Sequence, residues 1–184
     1  LLGVGVPIYV QMGRIFNRLT CCLGTMALAV ALTGAAASVA QAGCPHAGDQ
    51  VNRMSKESTR DAIVCLFNKE RGLNLKENGR LEQSAQTHSA VMRSKECFAH
   101  DCPGEPSLLA RIAKTGYLKG AADPAVGEIL KYAVDYITPG QMVDEWMRSS
   151  PHAAVITKST YEDVGVGLSV KNGSILATAH FGHR

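Results

Sequence analysis

Residues 164–181 read VGVGLSVKNGSILATAHF. Apolar and small residues alternate on both sides of Lys171-Asn172-Gly173. Such alternation sends successive side chains to opposite faces of a strand. Asn-Gly readily takes the positive φ angles of a two-residue hairpin turn. The stretch is therefore expected to form two antiparallel strands, 164–170 and 174–181.

Working outward, residues 125–132 read as another strand. Thr138-Pro139 reads as a helix start, a capping side chain followed by proline at the first helical position. Met142, Val143, Trp146 and Met147 supply that helix with a buried stripe, and the single tryptophan is read as core. From Pro151 to the hairpin the chain reads as irregular. Further upstream the period is helical. One helix is expected to begin near Ser58 or Thr59, with Asp61 in its first turn, where the helix dipole favours a negative charge. Ile63, Leu66 and Phe67 form its apolar stripe, and Gly72 ends it. A second helix spans about residues 79–95. His88 falls on its inward face with Leu81, Ala85 and Met92, and reads as a hydrogen-bonded core residue. A short third helix covers 107–114. Helices first, then strands around a fourth helix, give an α+β fold with a small antiparallel sheet and not a βαβ array.

The front of the chain has another character. Arg14 and Arg18 precede an uncharged, apolar run from Leu19 to Ala40, and Ala40-Gln41-Ala42 matches the small-x-small pattern of leader cleavage. Residues 1–42 are read as an upstream extension plus a secretory signal starting at Met12. Residues 43–58 are read as a polar N-terminal arm, and 59–184 as one domain. An uncleaved anchor and a lipid on Cys44 are the competing readings. Loss of Arg14 and Arg18, with no acidic residue, takes the formal charge of +3 down to +1. A nearly neutral domain with no basic stripe has no electrostatic footprint for nucleic acid.

Of the six cysteines, Cys21 and Cys22 lie in the leader. Cys44, Cys65, Cys97 and Cys102 remain, an even number in an exported chain, which points to disulfides. Three pairings are open. Cys44–Cys65 with Cys97–Cys102 is favoured, because the first ties the N-terminal arm to a helix and the second closes a small loop around His100. A cysteine zinc site is the weaker reading, since no C-x-x-C pair is present.

Three polar residues sit in distinctive contexts: His100 in Cys97-Phe98-Ala99-His100, Glu128 in Val126-Gly127-Glu128, and His152 in Ser149-Ser150-Pro151-His152. Two imidazoles and a carboxylate can hold a divalent metal or share protons if they converge. His46, His180 and His183 are read as outside this group. His180 faces either solvent or the cavity, and His183 lies in a terminal tail.

In order along the chain come IVCLFNKERG (63–72), AQTHSAVM (85–92), Phe98-Ala99-His100, Gly127-Glu128, TPGQMVDEWMRSSPH (138–152) and YEDVGVGL (161–168). This ordered set resembles the CAP superfamily of cysteine-rich secretory, antigen 5 and pathogenesis-related 1 proteins, in its short bacterial single-domain form. The resemblance implies an α-β-α sandwich with a three-stranded antiparallel sheet between helical layers. It also implies a cleft with two histidines and two acidic residues. His100, Glu128 and His152 match three of these. Ser149 stands where the fourth is an acid in many relatives, and Glu145 is read as lying on another helical face. Ile129 and Ala153 depart from the asparagine and arginine usual at their positions.

The function expected is binding of an extracellular ligand, lipid or protein, in a His/Glu cleft. The protein is expected to be a secreted or cell-envelope monomer whose mature domain does not span the membrane. No cofactor is required, but zinc or another divalent cation can sit on His100 and His152. A metal-dependent hydrolase, peptidase or esterase, is the alternative. The chain lacks a Gly-x-Ser-x-Gly elbow and a His-Glu-x-x-His helix, which leaves no confident catalytic residue.

Overall fold

The computed structural model describes residues 43–184. Residues 1–42, read from the sequence as an upstream extension and a cleaved leader, lie outside the described residues. Helix α1 (Lys56–Arg71) starts ahead of the expected Ser58 or Thr59. Ser55 takes the cap because its hydroxyl accepts from the Ser58 N–H at 2.9 Å. Gly72 ends the helix with φ 64°, a left-handed conformation that glycine adopts without a Cβ clash. Ile63, Leu66 and Phe67 are fully buried. The preceding segment is packed, where an extended arm was expected. Val51–Arg53 forms a 3-10 turn, and Val51 is buried. The Val51 N–H donates to the Ile137 carbonyl at 3.0 Å, and the Asn52 N–H to Asp135 at 2.8 Å. Cys44–Cys65 bridges this segment to α1, and Cys97–Cys102 closes the loop that carries His100. With its sulfur in the disulfide, Cys44 has none free for a lipid.

Next come strand β1 (Lys76–Glu77), α2 (Gly79–Ser94), α3 (Leu108–Lys114) and β2 (Ala125–Val134). Helix α4 (Pro139–Arg148) has a reciprocal cap: Thr138 accepts from the Gln141 N–H, and the Gln141 side chain accepts from the Thr138 N–H. The segment read as irregular is a short helix, α5 (Ser150–Ile156). Pro151 sits in its first turn, where proline's fixed φ favours a helix and its missing N–H costs nothing. The hairpin is β3 (Asp163–Lys171) and β4 (Ser174–His183), turning on Asn172 (φ 53°) and Gly173 (φ 75°). His183 is thus the last residue of a strand and not part of a free tail.

The fold is α+β, with one correction to the sheet. It has four strands in the order β1-β3-β4-β2. The three long strands pair antiparallel, as expected, and β1 adds two residues parallel to β3. A two-residue strand is too short to carry an alternating pattern, so nothing local announces it.

Strand β3 shows what its alternation is for. Val164, Val166 and Leu168 join the main core with Ile63, Leu66, Phe67, Trp146 and Phe181. Gly165 and Gly167, on the other face, meet α2 backbone to backbone. A Cβ on Gly165 would lie 2.0 Å from the Glu82 nitrogen, and one on Gly167 2.2 Å from the Ala85 carbonyl carbon. The Gln86 amide completes the contact by donating to the Leu168 carbonyl and accepting from the Leu168 N–H, both at 3.1 Å. Among the described residues, no helix is long and apolar enough to cross a membrane.

Candidate functional site

Glu128 lies on β2 directly opposite His180 on β4. Residues paired across strands project to the same face, so the register sets the carboxylate beside the imidazole. His180 Nε2 is 2.7 Å from Glu128 Oε2, and both side chains are almost wholly buried. Gly127 leaves room for Tyr161, whose hydroxyl would lie 2.6 Å from a Cβ there. That hydroxyl donates to the Val126 carbonyl at 2.9 Å.

Three further elements complete the cluster. The disulfide loop supplies His100, whose Nδ1 is 2.7 Å from Glu128 Oε1. Helix α3 supplies Arg111, which donates to Glu128 Oε2 at 2.7 Å and to the carbonyls of His100 and Pro106 at 2.9 and 3.0 Å. Helix α2 supplies His88, fully buried as its spacing predicts, with Nδ1 2.8 Å from Glu105 Oε2 and Nε2 3.7 Å from Glu128 Oε2.

The protonation of Glu128 orders the rest. Burial pushes its carboxyl up. The hydrogen bond and charge of His180, the hydrogen bond of His100 and the charge of His88 outweigh this and bring it to about 2. An ionised carboxylate only accepts hydrogen bonds. His100 therefore donates through Nδ1–H and, when neutral, keeps its Nε2 lone pair free. Burial lowers the His180 pKa despite the carboxylate beside it, which favours the neutral ring.

His100 is more than half exposed and opens onto a cavity of about 500 Å³. His152 on α5 lines the same cavity, with Glu145, Ser149, Lys131 and Tyr132. Burial lowers the His152 pKa, and the charges of His100 and Lys131 add to the effect. Its Nδ1 is buried without a hydrogen-bond partner. Glu145 shares the cavity, contrary to its expected placement on another helical face, and pairs with Lys131.

Of the three residues singled out from sequence, His100 and Glu128 touch, and His152 shares only the cavity of His100. Arg111, Glu105 and His180 were missed. Local sequence marks Arg111 as an ordinary helix cation and His180 as one of an alternating series. Only the β2–β4 pairing and the packing of α3 bring them to Glu128. Among the described residues, no group of three or more His, Cys, Asp and Glu side chains is arranged to hold a metal ion. A divalent ion in the cleft would rest on His100 and His152, with Glu128 behind His100 as its orienting acceptor. That donor set falls short of the three protein ligands usual for catalytic zinc.

Solved structures share the fold. An outer surface protein of Borrelia burgdorferi aligns with TM-score 0.54 and 19% identity over 65% of this chain and 90% of its own. An extracellular SCP-domain protein of Bacillus anthracis aligns with TM-score 0.55 and 19% identity over 71% of this chain and 44% of its own. The venom allergen-like protein 4 of Schistosoma mansoni aligns with TM-score 0.50 and 13% identity over 71% of this chain and 92% of its own. A comparison with curated proteins returned no match. The model of the cysteine-rich secretory protein family, CAP, matches residues 47–181, and the chain belongs to that family.

Proposed function

We propose that this CAP domain is an extracellular binding module, and that its ligand or partner enters the cleft between His100 and His152. One observation carries the reading. The cavity is lined by two imidazoles, His100 and His152, and the exposed His100 ring offers its Nε2 there. That nitrogen is left free because Glu128 holds the opposite ring nitrogen. A pre-set acceptor in a concave site fixes the orientation of a bound group. The two disulfides fit an oxidising compartment. The reading takes the protein as a secreted or cell-envelope monomer with the α-β-α layering of its family, and residues 1–42 as an upstream extension followed by an export signal starting at Met12.

A divalent cation bridging His100 and His152 is an optional part of this reading. Catalysis by a serine gains no support, since His152 Nδ1 has no partner that could activate one. Two measurements test the proposal. Native mass spectrometry of the purified protein is expected to show a retained lipid or other ligand that is lost in the His100→Ala/His152→Ala double variant. Calorimetric zinc titration checks the metal arm: equal heats for wild type and double variant would remove the cation. Wild type and variant with identical ligand content and identical partner capture would sink the cleft itself.

A further inference from the structure

Strand β2 closes one side of the sheet, with β4 as its only strand neighbour among the described residues. The pairing shows which of its backbone groups face outward. Asp135 N–H donates to the Gly173 carbonyl at 3.1 Å, at the end of the β2–β4 ladder. Antiparallel bonding to a given neighbour alternates from residue to residue. Residues 127, 129, 131 and 133 therefore bond to β4, and residues 126, 128, 130, 132 and 134 turn their N–H and C=O to the free edge. Three of those outward carbonyls are satisfied from within the chain. Val126 accepts from the Tyr161 hydroxyl at 2.9 Å, Leu130 from Trp146 Nε1 at 2.9 Å and Val134 from the Ile137 N–H at 3.2 Å. The Tyr132 N–H and carbonyl and the Val134 N–H have no such partner among the described residues.

This open stretch is accessible: Tyr132 is 57% exposed and Val134 44%. It is also where the cleft lies. Leu130 and Tyr132 line the His100–His152 cleft, and Tyr132 and Val134 line an adjoining cavity of about 540 Å³ against the start of α4. The two cavities are consecutive along one strand edge. An open edge is a template for pairing with another extended chain.

We propose that the ligand of the cleft is an extended peptide segment of a partner protein, added antiparallel to the outer edge of β2. The proposal rests on the cleft reading above and names the class of its ligand. One partner residue opposite Tyr132 accepts from the Tyr132 N–H and donates to the Tyr132 carbonyl. Its side chain projects to the face of Tyr132, whose ring lies 6.1 Å from that of the exposed Phe98 between centroids. An apolar or aromatic side chain belongs there. Its two neighbours project to the opposite face, that of Lys131, where the Lys131–Glu145 pair and Gln141 favour polar side chains.

The test selects a display library of random short peptides on the full chain and follows the enriched peptide by amide hydrogen exchange. Bound peptide is expected to slow exchange at the Tyr132 and Val134 amides. N-methylation of one interior peptide residue should weaken binding roughly tenfold, the scale of one hydrogen bond, while N-methylation of its immediate neighbours is tolerated. Val134→Pro removes an outward N–H without touching the β4 ladder and should weaken the peptide by a similar factor. No enriched peptide, binding that leaves both amides unprotected, or indifference to methylation at every position would overturn the edge. So would a dimer that buries the same amides, which would assign the edge to a second copy. If the peptide fails in any of these ways while the His100→Ala/His152→Ala variant still loses a retained ligand, the cleft stands and the edge falls. A peptide held on the edge equally by wild type and that double variant keeps the edge and removes the histidines from it.

Discussion

Glu128 holds three side chains of the site at once. Its Oε1 orients His100, and its Oε2 takes Arg111 and His180. Glu128→Gln keeps the shape but removes the charge, leaving Arg111 to the more distant Asp101 and Glu105, at 3.6 and 3.7 Å. An incompletely paired buried guanidinium is costly, so the variant should lose about 3 kcal/mol in urea unfolding. Near-wild-type stability would mean that Asp101 and Glu105 already satisfy Arg111. The contexts of His100 and Glu128 were legible because loop disulfides and Gly-Glu pairs are local features. Those of His180 and Arg111 were not, since neither residue has a neighbour in sequence that announces a buried partner.

At the scale of elements, the contact of α2 with β3 is the most demanding. Gly167→Ala places a Cβ on the backbone of α2 near Ala85, where nothing can rotate away. Helix and strand must separate, at a cost of about 3 kcal/mol, at the upper end for overpacked sites. Thr138→Ala should cost less, about 1 kcal/mol, since it removes one half of a reciprocal cap. Urea titration of both variants checks the order, and a reversed order would mean that α2 is free to shift. Most elements were legible from period and caps, including the hairpin and α4. Helix α5 was not, because a seven-residue segment with a Ser-Pro start reads equally as a turn. Strand β1 exists only through its pairing with β3.

For the whole molecule, acid is the sharpest probe. Burial lowers the pKa of His180 and His152 below 6.5, so the unfolded chain binds more protons than the folded one as pH falls through that value. Stability therefore declines below about pH 6.5. Glu128 adds a second decline, beginning near its ordinary 4.5 and ending near 2, as the carboxylate that binds Arg111, His100 and His180 is protonated. Urea unfolding at about pH 7.5, 5.5 and 3 should show both stages, and a flat profile would contradict the buried network. The disulfides are the other global constraint. Cys44 and Cys65 are 21 residues apart. Cys44→Ser/Cys65→Ser should cost about 3 kcal/mol by freeing the unfolded chain, seen as a lower Tm.

Sequence alone determined the secondary elements with strong periods and caps, the α+β class, the cysteine pairing favoured here and the family resemblance. These follow from local rules: side-chain alternation, capping chemistry and turn residues act within a few positions. The tertiary structure decided which polar groups meet. Glu128 reaches His180 through strand register, Arg111 through the packing of α3, and His100 through a disulfide loop. It also separated the expected trio into a contacting pair and a third residue that shares their cavity. Such meetings depend on pairings between residues far apart in sequence, whose energies no local pattern encodes.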